Sequence, residues 1–240
     1  MAIDTTRGLG RILVLDIESA TDPYALALSG RRGSVAETGA ALHLVTDVSM
    51  LFATEREDGS WDEISITSVA GGQDDEPGLL RKVDAALRSM QAREGTLVTY
   101  NGAHDTTVLI RRCARHLMFD MTGIAVARDG KQFDLMTMRA GPKNERWSKL
   151  KDVAAGLGIP TVHQLRGRGT SPTSGGVAKS QTDVAMTFIV MLYELAMLRR
   201  DAGPVMQGWR ALGSYIDKMG PHGEHLAQFR RHPLGRPPGS

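Results

Sequence analysis

The stretch RILVLDIES, residues 11–19, decides the fold prediction. Ile12 to Leu15 form an apolar run rich in branched side chains, which predicts a short buried strand. Asp16 and Glu18 follow at its end, and because strand side chains alternate between two faces, both carboxylates leave the same face. Two acids on one buried face repel each other unless a cation lies between them. The stretch therefore predicts a divalent-metal site.

The composition is that of an ordinary soluble globular protein. The chain has 240 residues, 41% apolar and 23% charged, with a net charge of +2, so any basic patch for nucleic acid must be local. The single cysteine, Cys113, excludes an internal disulfide and suits a reducing compartment. The N-terminus lacks an apolar signal core, and the longest apolar stretch, 184–198, contains Glu194 and is shorter than a membrane span needs. We expect a cytoplasmic protein.

Hydrophobic periodicity predicts an α/β fold in which a mixed sheet begins with an antiparallel meander. The predicted elements are strands over 12–18, 43–53, 61–69 and 96–100, a strand or extended segment over 131–138, and helices over 77–93, 104–117, 147–157 and 181–200. Segments 19–40 and 163–178, rich in Gly, Ser and Arg, predict loops. We expect one domain over 1–200 and a helical, basic extension over 201–240.

Two further acids stand at related places. Asp105 opens a helix directly after the strand at 96–100, and Asp183 lies in the first turns of the helix predicted at 181. Open α/β sheets place their sites at the carboxyl ends of strands. Taken alone, each acid could equally be a solvated turn residue or a charge at a helix N-terminus. Together they could hold two Mg²⁺ or Mn²⁺ ions about 3.5–4 Å apart, which can activate water and stabilise the leaving oxygen of a phosphodiester.

Three short motifs resemble those of the DEDD superfamily of 3′–5′ exonucleases. They are D-I-E at 16–18, Y-N-G from Tyr100 with its acid at Asp105, and T-D-V around Asp183. The segments 133–136 and 150–160 resemble the branch related to the proofreading domain of family-B DNA polymerases, and the likeness covers roughly residues 10–200. The resemblance implies a ribonuclease-H-like fold that cleaves DNA or RNA from a free 3′ end. It also implies four metal ligands: Asp16, Glu18, Asp105 and Asp183.

The resemblance further implies where a substrate would bind. The 3′-terminal nucleotide is expected against the 19–40 segment and the strand around Tyr100. The candidate substrate-binding residues are Ile17, Tyr100, Asn101, His104, Arg166 and Arg168. Arginine forks suit phosphates, although a solvated loop explains the two arginines as well. Asn101 could simply close its turn and His104 could be a packing residue. Asp134 is predicted to be structural, and His163 is a possible stand-in base.

The sequence departs from the family at one place that matters for catalysis. The family expects a Tyr or His four or five residues before the last Asp, and here those positions are Lys179 and Ala178. Lysine is ordinarily protonated and a poor base, although nearby metal ions would depress its pKa. Its ammonium could instead replace one metal ion or bind the scissile phosphate. We include Lys179 among the candidate catalytic residues.

Two other functions fit the same residues. With Lys179 in place of the usual base, the chain could be a degenerate exonuclease fold that binds nucleic acid or a partner protein through its basic tail. It could also be a structure-specific endonuclease or a small-oligonucleotide hydrolase that uses the same metals.

Overall fold

A computed structural model describes residues 8–31, 38–71, 75–127, 132–138, 148–161 and 172–232. The strands are β1 (Gly10–Thr21), β2 (His43–Glu55), β3 (Trp61–Ala70), β4 (Thr96–Thr99) and β5 (Gln132–Asp134). The helices are α1 (Pro23–Ser29), α2 (Glu76–Gln91), α3 (Gly102–Arg115), α4 (Thr122–Ala127), α5 (Leu135–Met138), α6 (Leu150–Gly156), α7 (Pro172–Arg199) and α8 (Gly203–Met219). Two 3₁₀ segments cover Ala40–Leu42 and Gly220–Phe229.

The strands form one mixed sheet in the order β3-β2-β1-β4-β5. Strands β1, β2 and β3 pair antiparallel as a meander, and β4 and β5 add to β1 in parallel. Helices cover both faces of the sheet. The prediction of an α/β fold with a mixed sheet begun by an antiparallel meander is confirmed at this level.

Successive side chains of β1 point to opposite faces of the sheet and belong to two separate apolar layers. Ile12 and Val14 pack in the layer that contains α7 and α8, whereas Leu13, Leu15 and Ile17 pack in the layer that contains α2 and α3. Because side chains two apart share a face, Asp16 and Glu18 continue the row of Ile12 and Val14 toward α7. The side of the sheet on which the two carboxylates emerge therefore follows from the apolar pattern before them.

The sequence predicted a loop over 19–40, which is wrong because most of the described residues in this range belong to a strand or a helix. After a register shift at Glu18, β1 continues to Thr21 because residues 19–21 pair with the start of β2. The side chain of Asp22 then caps α1 by accepting hydrogen bonds from the amides of Tyr24 and Ala25, and Pro23 takes the first helical position. Residues 32–37 lie outside the described residues.

Helix α7 begins at Pro172 rather than at residue 181, so the loop predicted over 163–178 is wrong from 172 onward. Residues 162–171 lie outside the described residues. By length and composition, the Gly176–Arg199 part of α7 could span a membrane, but 67% of its most apolar window is buried inside the protein. Helix α7 packs against the sheet and against α8, so its burial is that of a core helix.

Other element boundaries also differ from prediction. The segment predicted as extended over 131–138 is strand for Gln132–Asp134 and then turns into α5. Helix α4 was not predicted, since its six residues are too few to show a helical period.

The helices predicted after residue 201 are present and share the core of the sheet. Five of their apolar side chains belong to the same buried cluster as Val14 and Phe188; they are Trp209, Leu212, Ile216, Leu226 and Phe229. The Nε1 atom of Trp209 donates a 2.8 Å hydrogen bond to the carbonyl of Phe229. The C-terminal segment is therefore packed onto the rest of the protein through a continuous apolar interior.

Candidate metal centre

Three carboxylates from two distant parts of the chain meet beside the sheet. One oxygen atom each from Asp16, Glu18 and Asp183 lie within 4.8 Å of one another. The first two come from the α7 face of β1, and the third comes from α7 itself. Carboxylate oxygens at this spacing are hard ligands of the kind that Mg²⁺ and Mn²⁺ prefer.

A pair of buried serines fixes α7 over this end of the sheet. Ser49 on β2 lies directly opposite Asp16 in the strand pairing. Its Oγ atom is 2.6 Å from Oγ of Ser180, and both serines are fully buried. Ser180 precedes Asp183 by less than one helical turn, so the contact holds Asp183 near Asp16. Sequence reasoning missed these serines because a lone serine in a strand or helix carries no periodic signal.

Two carboxylate oxygens in the cluster have no hydrogen-bond donor among the residues that the structure describes. These atoms are Oδ2 of Asp16 and Oδ1 of Asp183, both buried, and the Asp183 residue is only 8% exposed. Burial raises the pKa of Asp16 well above its ordinary value, and the charges of Asp105, Asp183 and Glu18 raise it further. A buried carboxylate oxygen without a partner is costly, and a divalent cation would satisfy both atoms. The donor set therefore fits Mg²⁺ or Mn²⁺.

Lys179 places a positive charge inside the same cluster. Its Nζ atom donates to Oε1 of Glu18 and lies 3.1 Å from Oδ2 of Asp183, four residues later on α7. Burial alone would lower the pKa of Lys179, but the charges of Asp183, Glu18 and Asp16 raise it well above its ordinary value. Two carboxylate oxygens within hydrogen-bonding distance stabilise the ammonium form, so the geometry favours a cationic role over a general base.

Asp105 borders the three carboxylates without joining the set within 4.8 Å. It is buried in the first turn of α3, and its charge contributes to the raised pKa of Asp16. Burial raises the pKa of Asp105 itself well above its usual range, with further contributions from Asp134 and Glu18. Three of the four predicted ligands therefore come close enough to share a cation, and the fourth, Asp105, acts on them through its charge.

The turn after β4 brings Asp105 to this position. Gly102 begins α3 against the sheet, where a Cβ atom would lie 1.9 Å from Nε2 of Gln132 and 2.3 Å from Oγ1 of Thr99. The amide of Gly102 donates to Oδ2 of Asp134 at 3.1 Å, and Oδ1 of Asp134 accepts from the amide of Met136 at 3.1 Å. Asp134 thus holds two backbone segments, in agreement with the structural role predicted for it.

The candidate substrate residues on β4 and α3 take up varied positions near this turn. Tyr100 is half-buried and donates its hydroxyl to the carbonyl of Ser148 at 2.7 Å. Asn101 is exposed, and its carbonyl accepts from the amides of His104 and Asp105, which closes the turn. His104 is half-buried and packs edge-on against His43 at 5.7 Å; burial, followed by the charge of His43, lowers its pKa.

The remaining candidates are not brought to the carboxylates. The side chain of Ile17 is buried in the α2 and α3 layer, on the face of β1 opposite Asp16. Only the backbone of Ile17 is therefore placed to meet a substrate on the carboxylate side. Arg166, Arg168 and His163 lie outside the described residues.

No protein-family model matches the chain, and no curated protein matches its sequence significantly.

Proposed function

We propose that this protein is a divalent-metal-dependent 3′–5′ exonuclease that hydrolyses the terminal phosphodiester of DNA or RNA. The observation that carries the proposal is a pair of buried oxygens on Asp16 and Asp183 that have no partner within the described part of the chain, in a cluster completed by Glu18. Buried carboxylate oxygens that lack a donor are arranged to bind a cation rather than to support the fold.

The architecture supports the same proposal. A mixed five-stranded sheet begun by an antiparallel meander is compatible with the ribonuclease-H-like fold that the motif resemblance implies. The four acids lie on the first strand, at the start of the helix after β4, and on a late helix, which supports the proposal. Asp16, Glu18 and Asp183 would hold the cation, with Asp105 beside them. When bound, a divalent cation supplies Lewis-acid stabilisation of the charge that develops on a phosphodiester.

The chain's own residues would perform the other tasks. The exposed turn at Asn101 and the half-buried rings of Tyr100 and His104 lie near Asp105 and would contact the 3′-terminal nucleotide. Bases stack on aromatic rings irrespective of sequence, which suits an enzyme that removes successive nucleotides. Lys179 would contribute a fixed positive charge beside the substrate phosphate.

One observation favours a second function, a nucleic-acid- or protein-binding module without catalysis. Lys179 already pairs with Glu18 and Asp183, so a part of the negative charge is neutralised without metal. In this alternative the ion pairs would replace the cation altogether, and binding would occur through basic residues elsewhere in the chain.

A single assay separates these functions. Single-stranded DNA and RNA labelled at the 5′ end are incubated with the protein and Mg²⁺ or Mn²⁺, and the products are resolved by length. Stepwise shortening that a 3′-terminal block prevents is the expected result. Internal cuts that persist on the blocked substrate would identify an endonuclease, and an intact substrate that shifts on a native gel would identify the binding module.

A further inference from the structure

The ammonium of Lys179 is hydrogen-bonded to two carboxylate oxygens that would otherwise be available to bind metal ions. Its ammonium donates to Oε1 of Glu18 and to Oδ2 of Asp183, so it lies between the strand and the helix that form the cluster. The lysine and Asp183 are four residues apart on α7, a spacing that places both side chains on the same helical face.

The oxygens that remain free are suited to one ion rather than two. Oδ2 of Asp16 and Oδ1 of Asp183 are the buried atoms of the cluster that have no partner among the described residues. They come from the two elements that converge here, whereas the Glu18 oxygen beside them is already engaged by the ammonium.

The balance of charge in the cluster also favours one metal ion over two. Asp16, Glu18 and Asp183 supply three negative charges when ionised, and Asp105 beside them supplies a fourth. One divalent cation and the ammonium stay within these four charges, whereas two divalent cations and the ammonium exceed them in a partly buried site. The cations and the ammonium would repel one another strongly in a site from which water is excluded.

We infer that the Lys179 ammonium takes the place of one of two divalent cations, so that the protein binds a single divalent ion between Asp16 and Asp183. This inference rests on the proposed metal-dependent function and specifies its cofactor. It also explains why a lysine can stand where a general base is expected: its role is to supply charge in place of a cation.

Mn²⁺ binding to the full chain tests the inference without requiring activity. Isothermal titration calorimetry on the wild type is expected to give about one Mn²⁺ per chain, and electron paramagnetic resonance should show isolated rather than spin-coupled Mn²⁺. Lys179→Met removes the charge but keeps most of the length of the side chain, and it should bind about two Mn²⁺ with spin-coupled signals. Lys179→Arg is the matched control that retains the charge and should bind about one.

The outcomes separate the inference from the function on which it rests. About two ions in the wild type, or about one in both Lys179→Met and the wild type, overturns the inference while a metal-dependent function survives. Binding to none of the proteins overturns both. The lysine side chain is 47% exposed, so its replacement should leave the fold intact. Thermal unfolding in EDTA checks this, and Lys179→Gln provides a second uncharged variant.

Discussion

Ser49 and Ser180 are 131 residues apart in sequence, and their Oγ atoms are joined by a 2.6 Å hydrogen bond. The bond links β2 to α7 beside the carboxylates. The network extends from Ser49 to Ser68 and, through Gln181, to His225 in the C-terminal segment, with a Gln181–His225 contact of 2.6 Å. Both the helix that carries Asp183 and the C-terminal segment are therefore tied to the same row of serines.

Removing this hydrogen bond should cost stability and loosen the metal site. Ser180→Ala leaves Ser49 with one fewer buried partner, so the free energy of unfolding should fall by about 1 kcal/mol in urea titrations. Mn²⁺ affinity should fall as well, because Asp183 is less firmly held. Ser214→Ala, on an exposed part of α8, is the control and should change neither quantity. An unaltered Mn²⁺ affinity in Ser180→Ala would show that α7 is positioned by other contacts.

A buried ion network on the opposite face predicts a specific pH dependence. Arg112 donates to Glu76 and to Asp22, and all three are at least nine-tenths buried. Burial alone would raise the pKa of Glu76, but hydrogen bonds from Arg112, His116 and the amide of Val45 outweigh it and lower the pKa. This stabilisation is therefore complete above the unfolded-state pKa of about 4.3 and is lost as the pH falls through the lower folded-state value.

Arg112→Met should remove this stabilisation and leave two buried acids uncompensated. The free energy of unfolding should fall by about 3–5 kcal/mol at pH 7, and the loss should shrink toward pH 3 as the stranded carboxyls become protonated. Urea unfolding of both proteins across this pH range measures the difference. A loss of equal size at both ends of the range would mean that packing, rather than charge, accounts for the effect of Arg112.

The apolar alternation of β1 was sufficient to predict which face carries the acids, because strand geometry is local. Helix α2 was likewise predictable within a few residues from its amphipathic stripe, and α3 from the Asn101-Gly102 turn before it. The start of α7 was not, since residues 172–180 contain glycines and polar side chains that have little helical preference by themselves. Pro172 at the first helical position was the available signal.

Long-range polar contacts were the part of the site that the sequence did not reveal. Arg112 and Glu76 interrupt apolar helix faces, and periodicity counts such residues as exposed until their partners on other elements are known. The Lys179 ion pairs depend similarly on how α7 crosses β1. The motifs predicted which acids belong together and singled out Lys179 beside them, whereas the partners of its ammonium, Glu18 and Asp183, became apparent only from the packing.

The C-terminal segment should prove inseparable from the sheet. Trp209 is 2% exposed and shares its cluster with Val14 and Phe188, so Trp209→Ala should cost about 3–5 kcal/mol. Met197→Ala, at a position 76% exposed, should have little effect on urea unfolding. Removal of residues 201–240 should yield a protein without a cooperative unfolding transition. A cooperative, stable 1–200 fragment would show instead that the segment is an appendage.

Without metal, the carboxylate cluster should be a source of instability. Asp16→Asn removes a buried charge whose pKa is raised by burial and by Asp105, Asp183 and Glu18, so unfolding in EDTA should require about 1 kcal/mol more than in the wild type. Added Mn²⁺ should raise the melting temperature of the wild type but have little effect on Asp16→Asn. Asp120→Asn, at an exposed position, should behave as the wild type does. Equal Mn²⁺ stabilisation of Asp16→Asn would place the bound ion elsewhere.

The most direct test of the central claim is the rate at which Asp183→Asn releases nucleotides from a 5′-labelled single strand in Mn²⁺. If Asp16, Glu18 and Asp183 together hold the catalytic cation, this variant should fold normally and cleave at least about 10³-fold more slowly than the wild type, with Asp120→Asn unaffected. Metal-dependent shortening by Asp183→Asn at the wild-type rate would contradict the account.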